Sequence, residues 1–368
     1  MKQRNLVFDN LRGICMLGVI AIHVGSMAIS AETATPFAAL ITNILSRYSV
    51  PAFFFISGYG LFYSKPLEAP FSYGKFLKKR LHSIGKPYLI ASLLYLLYYT
   101  LMNRDLSVLD PSNILFSLFF GTAQYHIYFL VILIWFYLLF PLWRGLMRVM
   151  EKVGLKLSLA VLFVLQVMLY EGSFHFWSYP KWIADSWLLT NLMNFRLNYF
   201  PFFYLFIFML GGVIARHYEG FKALITEKKA LLTVFFAASA GFNTWMFYRW
   251  TNLYGMPYEN TINSLQQLSL PGLVYTIASV LFFSMILQSG RYPFKGALKR
   301  MSDRSFVIYL IHPVFIDQLE YAVTKWGGGL GHFPLELFYL LVLGISWGVA
   351  EIWHLRNRSR VAGRGSRA

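Results

Sequence analysis

The chain has 368 residues, 57% of them hydrophobic, 19% aromatic and only 13% charged, with a formal net charge of +17. Soluble domains carry about 25% charged residues, so a water-soluble protein is excluded and a polytopic membrane protein is indicated. The surplus of Lys and Arg is spread over alternate loops instead of one patch, which argues for membrane topology and contact with anionic lipids, not for nucleic acid.

Apolar segments long enough to span fall at about 6–29, 44–64, 87–103, 124–146, 157–171, 198–216, 229–248, 269–289, 303–324 and 334–355. They predict an all-α bundle of about ten transmembrane helices. The stretch 112–121 is too short to span and reads as re-entrant. With a cytoplasmic N-terminus, 26 Lys and Arg residues lie on the inside and five on the outside. That asymmetry sets the orientation and returns the C-terminus to the cytoplasm. Residues 1–355 form one membrane domain, and 356–368 read as a basic, irregular cytoplasmic tail.

The first segment carries Asp9, Arg12 and His23. Ionisable groups inside a spanning helix are costly and mark function by default. Eleven residues separate Arg12 from His23, which places them about 20° from eclipsed and about 16 Å apart along the axis. One stripe therefore bears a cation near the entrance and an imidazole deep inside. The alternative is a bundle-facing pair satisfied by neighbouring helices. Cys15 on the same segment is the sole cysteine, so no internal disulfide forms. Ser26-Met27-Ala28 looks like a cleavage site, but the three ionisable groups make a poor signal sequence, and the segment reads as retained.

The second segment contains Pro51, which invites a kink, and Ser57-Gly58, which lets another helix approach and offers a hydroxyl. Lys75, Lys78, Lys79, Arg80, His82 and Lys86 follow as a basic run at the cytoplasmic mouth. It is either topology charge or a clamp for a phosphorylated donor. Tyr125-His126-Ile127-Tyr128 precedes another span. Near the end, Tyr309 and His312 are three apart and share a helix face, while Asp303 reads equally as a helix N-cap. The outside loops 172–197 and 249–268 hold Phe174, Phe176, Trp177, Tyr179, Trp182, Trp187, Trp250, Tyr254 and Tyr258, an interfacial belt or a sugar-stacking platform. No P-loop is present, Gly327 to Gly331 is a flexible turn, and no His/Cys cluster has metal-ligand spacing.

Four of these segments together resemble the membrane acyltransferase-3 family, which includes O-antigen and other envelope-polysaccharide O-acetyltransferases. The family's "LDxLRGxAxxxVxxxH" is matched by Phe8-Asp9-Asn10-Leu11-Arg12-Gly13 through His23, and its "VPxFFxxSGY" by Val50-Pro51 through Tyr59. Its "HLWFL" appears as His126-Ile127-Tyr128-Phe129-Leu130, and its "SFxIYLxHP" as Ser305 through Pro313. The order is preserved across nearly the whole chain. Two departures stand out. Ser83 occupies the second position of the family's "RxxR" after Arg80, with Lys86 as the substitute, and Tyr128 replaces the usual Trp.

The resemblance implies an acyltransferase of the bacterial cytoplasmic (inner) membrane. Acyl-CoA, usually acetyl-CoA, would be a co-substrate rather than a bound cofactor, and no metal is expected. The acceptor would be a hydroxyl of an envelope glycan or a lipid-linked sugar. In this reading Lys79, Arg80 and Lys86 hold the donor phosphates, Arg12 guides the donor inward, and His23 is the general base. Ser57, Tyr309 or His312 would donate to the oxyanion. Asp9, His126 and Tyr128 support the site. The rival classes are an exporter or flippase of a polysaccharide or lipid-linked sugar, and a non-catalytic member of a synthesis complex.

Overall fold

The computed structural model describes residues 5–176 and 178–365, with side chains followed to residue 357. Lys2, Arg4, Trp177 and the tail side chains beyond 357 lie outside the described residues. Among those described, the regular structure is all helical, without a strand. Seven helices are long and apolar enough to cross a membrane: Leu6–Ser30, Pro36–Ser64, Leu155–His175, Lys229–Leu253, Leu270–Gln288, Lys295–Trp326 and Leu335–Asn357. The number rises to nine if two broken pairs each count once, Tyr128–Leu138 with Phe140–Val153, bent by 65°, and Pro201–Arg216 with Tyr218–Glu227. The segment expected to span at 87–103 is the helix Lys86–Asn103, in which Tyr88, Tyr95, Tyr98 and Tyr99 lower the apolar character, and it is not among the seven to nine candidate spans. Pro111–Phe120 is a helix of ten residues, too short to span.

Three local expectations are corrected. Pro51 makes no mid-helix kink, because it sits in the first turn of Ser49–Ser64, where its missing N–H costs little. The irregularity precedes it, as a π-helical segment, Ile41–Leu45, and a turn over 46–48. Asp303 is no N-cap, since the helix already begins at Lys295, and Lys299 Nζ donates to its carboxylate at 3.0 Å. The segment expected to form an irregular tail instead continues the helix to Gly365, as a proline-free run allows.

The chain divides into two compact units, Met1–Ile56 with His217–Ala368, and Ser57–Arg216. In the first, helix Leu6–Ser30 is capped by Asn5, whose side chain accepts from the Val7 N–H at 3.0 Å. It packs chiefly on helix Lys295–Trp326. Helices in lipid gain little from hydrophobic burial against each other, so close approach through small residues carries the packing. Gly13 provides it: a Cβ there would lie 2.6 Å from the Leu298 carbonyl oxygen. Tyr339 OH donates to the Leu17 carbonyl at 3.2 Å and ties in helix Leu335–Gly365. Ala39, Leu40, Ile44, Phe247, Ile262 and Leu265 form a buried apolar cluster that seats the segment around Ile41–Leu45.

In the second unit, Gly58 meets helix Leu205–Arg216, where a Cβ would sit 2.0 Å from the Phe208 carbonyl oxygen. The close approach read from Ser57-Gly58 is therefore present. Phe208 stacks on Phe136 with ring centroids 4.1 Å apart. Two arginines counted in sequence as loop charges are structural. Arg144, 4% exposed, donates to the carbonyls of Lys65, Pro66 and Leu67 at 2.7, 3.0 and 3.2 Å. Arg216 pairs with Glu68 at 2.7 Å and with Glu151. Hydrogen bonding from Arg216 lowers the Glu68 carboxyl to about 2. Together these contacts hold the loop that leads into the basic helix Tyr73–Arg80.

Candidate active site

Helix Leu6–Ser30 is continuous, so the spacing read from sequence holds and Arg12 and His23 lie on one stripe. Both are half-buried. Asp9 is 8% exposed, and its Oδ2 atom is buried without a hydrogen-bond partner. The next residue, Asn10, is buried and donates from Nδ2 to Tyr292 OH at 2.6 Å.

The same unit brings two sequence-distant histidines together. The His23 and His312 ring centroids lie 5.3 Å apart with the planes inclined by 35°. His312 is fully buried, and the Tyr309 ring lies 6.2 Å from it. The local sequence accounts for the orientation of His312. Pro313 has no N–H, so the Tyr309 carbonyl lacks its usual donor four residues on. His312 Nδ1 lies 2.9 Å from that carbonyl oxygen and 3.1 Å from that of Ile308. Carbonyl oxygens only accept, so Nδ1 carries the hydrogen and donates. The neutral ring then has Nε2 as its acceptor nitrogen. Its one N–H is committed to the backbone, which removes neutral His312 from the expected oxyanion donors.

A residue that sequence reading did not single out lies beside this pair. Arg47 is in the turn after the π-helical segment, linked through Asn43 to Ser26 on the first helix, three residues beyond His23. Its Nε donates to the Asn43 carbonyl at 2.9 Å. The terminal nitrogens reach Asn43 Oδ1 at 3.3 Å, Gln266 Oε1 at 3.4 Å and Gln267 Oε1 at 3.5 Å. Ser26, three residues beyond His23, donates to Asn43 Oδ1 at 2.9 Å. Gly25 permits this approach, since a Cβ there would lie 1.9 Å from Thr42 Oγ1 and 2.4 Å from Asn43 Nδ2.

The remaining expected residues belong to the second unit. Lys79 and Lys86 are exposed, Lys79 on helix Tyr73–Arg80 and Lys86 at the start of Lys86–Asn103. The Arg80 guanidinium lies over the Tyr137 and Phe76 rings, 5.4 and 5.7 Å from their centroids. Such stacking fixes the position of the charge without neutralising it. His126 is 2% exposed and meets Tyr95 and Tyr125 edge-on at 5.6 and 5.8 Å. Ser57 is half-buried on helix Ser49–Ser64, and Tyr128, also half-buried, opens helix Tyr128–Leu138. Among the outside aromatics, Trp182 is exposed, while Trp187 contacts Phe116 at 6.2 Å and Tyr258 contacts Phe247 at 5.9 Å.

Comparison with known proteins now adds to the geometry. An amino-acid racemase of Enterococcus faecalis is 26% identical over 380 residues, covering 98% of this chain and 48% of the racemase. The chain thus spans about half the length of that curated relative. No solved structure matches the chain. The family model for the acyltransferase domain matches residues 5–351. That match includes every candidate site residue described above, and the chain belongs to the membrane acyltransferase-3 family.

Proposed function

We propose that this multi-pass membrane protein moves an acyl group, acetyl in the usual case, from acyl-CoA to a hydroxyl of a cell-envelope carbohydrate. The observation that carries the reading is the His23–His312 pair, in which the backbone sets the tautomer of one member. In this reading the neutral His312 ring packs beside His23 and fixes its orientation, and the nitrogen of His23 that carries no hydrogen is the lone-pair base. A base oriented by a third group is the usual arrangement for activating a hydroxyl. His23 takes the proton of the acceptor hydroxyl as its oxygen attacks the thioester carbonyl. The C–O bond forms, the C–S bond breaks, and the proton passes to the departing CoA thiolate.

The donor enters from the cytoplasm in this reading. The 26 inside and five outside Lys and Arg residues support that orientation, with both termini inside. Lys79, Arg80 and Lys86 meet the phosphates of the polyanionic donor. Arg12 precedes His23 on the first helix, at the end that this orientation turns toward the cytoplasm. The purified full-length protein should release CoA thiol from acetyl-CoA when given the acceptor glycan and should place label from the acetyl group on it. His23→Ala should lower that rate about 10²- to 10⁴-fold with insertion and folding intact. Near-wild-type turnover in this variant would remove His23 from the mechanism. Movement of glycan across the membrane without CoA release would establish the exporter class instead.

A further inference from the structure

We infer that Arg47, with Ser26, Asn43, Gln266 and Gln267, forms the acceptor subsite, and that its guanidinium binds an oxygen of the hydroxyl-rich acceptor beside His23. The inference rests on the acyl-transfer reading above and assigns the side of the site that reading leaves open. The first helix orders the groups. Arg12 lies about 16 Å before His23 along the axis, whereas Ser26 lies about 4.5 Å beyond it. The donor and the acceptor must reach the base from different directions, and the cluster is at the end away from Arg12.

The chemistry of the cluster fits a carbohydrate. Its groups are one hydroxyl, three side-chain amides and one guanidinium, the donor and acceptor set that reads several hydroxyls at fixed angles. A guanidinium presents its terminal N–H groups in a planar fork that suits paired oxygens. The Arg47 contacts are unequal in a telling way. Nε is held at 2.9 Å by the Asn43 carbonyl, which sets the direction of the side chain. The terminal nitrogens reach the three amide oxygens at 3.3 to 3.5 Å, which places the planar fork among the amides that complete the subsite.

The backbone around the cluster is built for the purpose as well. Asn43 is fully buried on a π-helical turn, a feature that recurs at functional sites. The turn that follows is fixed on both sides of Arg47. Tyr275 OH donates to the Leu45 carbonyl at 3.0 Å, and the Tyr48 ring stacks on Phe283 at 5.3 Å. The Gln266-Gln267 pair occupies the short link between helices Tyr258–Leu265 and Leu270–Gln288.

The test separates the two substrates kinetically. The probe is envelope polysaccharide from the organism that carries the chain, deacylated with mild alkali and offered to the full-length protein with radiolabelled acetyl-CoA. Loss of a charged hydrogen bond raises the KM for the polysaccharide about 10- to 100-fold in Arg47→Gln. The KM for acetyl-CoA stays within about twofold, and Arg47→Lys recovers part of the loss, since it keeps the charge but not the fork. Asn43→Asp supplies a second arm that leaves Arg47 in place. Its carboxylate takes the guanidinium from the acceptor and raises the same KM, so it decides the matter if Arg47→Gln does not accumulate. An unchanged polysaccharide KM, or equal rises in both KM values, overturns the subsite. Absence of label transfer by the wild-type protein overturns the acyl-transfer reading and the subsite with it.

Discussion

Replacing Pro313 with Ala should lower turnover while leaving the protein as stable as before or more so. The reasoning begins at a missing hydrogen. Pro313 gives the Tyr309 carbonyl no donor, and His312 Nδ1–H fills the vacancy at 2.9 Å. An alanine restores a backbone N–H aimed at that oxygen and competes with the imidazole for it. A hydrogen bond contributes about 0.5–1.5 kcal/mol net. Losing it reduces the population of the Nδ1–H tautomer, and with it kcat, by about 2- to 13-fold. Proline in a helix interior costs about 3 kcal/mol relative to alanine, so the exchange does not weaken the helix. Activity and stability are thus expected to move in opposite directions. Initial rates of thiol release and a thermal unfolding curve on the same preparation measure both. Full turnover in a variant whose Tm is at or above that of the wild type would refute the tautomer argument.

Three other outcomes follow from the same geometry. Arg12→Lys keeps the charge and loses the planar fork, so the KM for acyl-CoA should rise in steady-state kinetics; a wild-type value would mean that charge alone suffices. Replacing Lys79, Arg80 and Lys86 together with Gln should weaken CoA affinity in a binding titration, with unchanged topology by cysteine accessibility. The wild-type affinity should fall with added salt, because exposed charges are screened. Gly25→Ala drives a methyl group into Thr42 Oγ1 and Asn43 Nδ2, so it should destabilise the protein by about 1–3 kcal/mol and raise the polysaccharide KM, read from thermal unfolding and steady-state rates.

Much of this site was legible in the sequence because helical spacing is rigid. The stripe of Arg12 and His23 and the nearness of Tyr309 to His312 need only 3.6 residues per turn. The meeting of His23 with His312 was not legible, since residues 289 positions apart are joined only through helix packing, here by the contact at Gly13. Arg47 was missed for a different reason. It falls between two motifs, at a break in the helix where a π turn replaces regular periodicity, and such breaks are invisible to a count of apolar residues. A charge inventory would have found it. Of 33 Lys and Arg residues, six fall within the bounds of the apolar segments: Arg12, Arg47, Arg144, Arg216, Lys229 and Arg304. An arginine retained within an apolar segment needs a physical reason to be there. For Arg12 the reason is on its own helix, in line with His23. For Arg47 it is a local contact with Asn43, four residues earlier, and contacts across the packing interface with Gln266 and Gln267. Arg12 and Arg47 therefore bracket one imidazole, one toward each end of the first helix. In the acyl-transfer reading proposed above, a base that serves a polyanionic donor from one end and a hydroxyl-bearing acceptor from the other suits an arrangement of this kind.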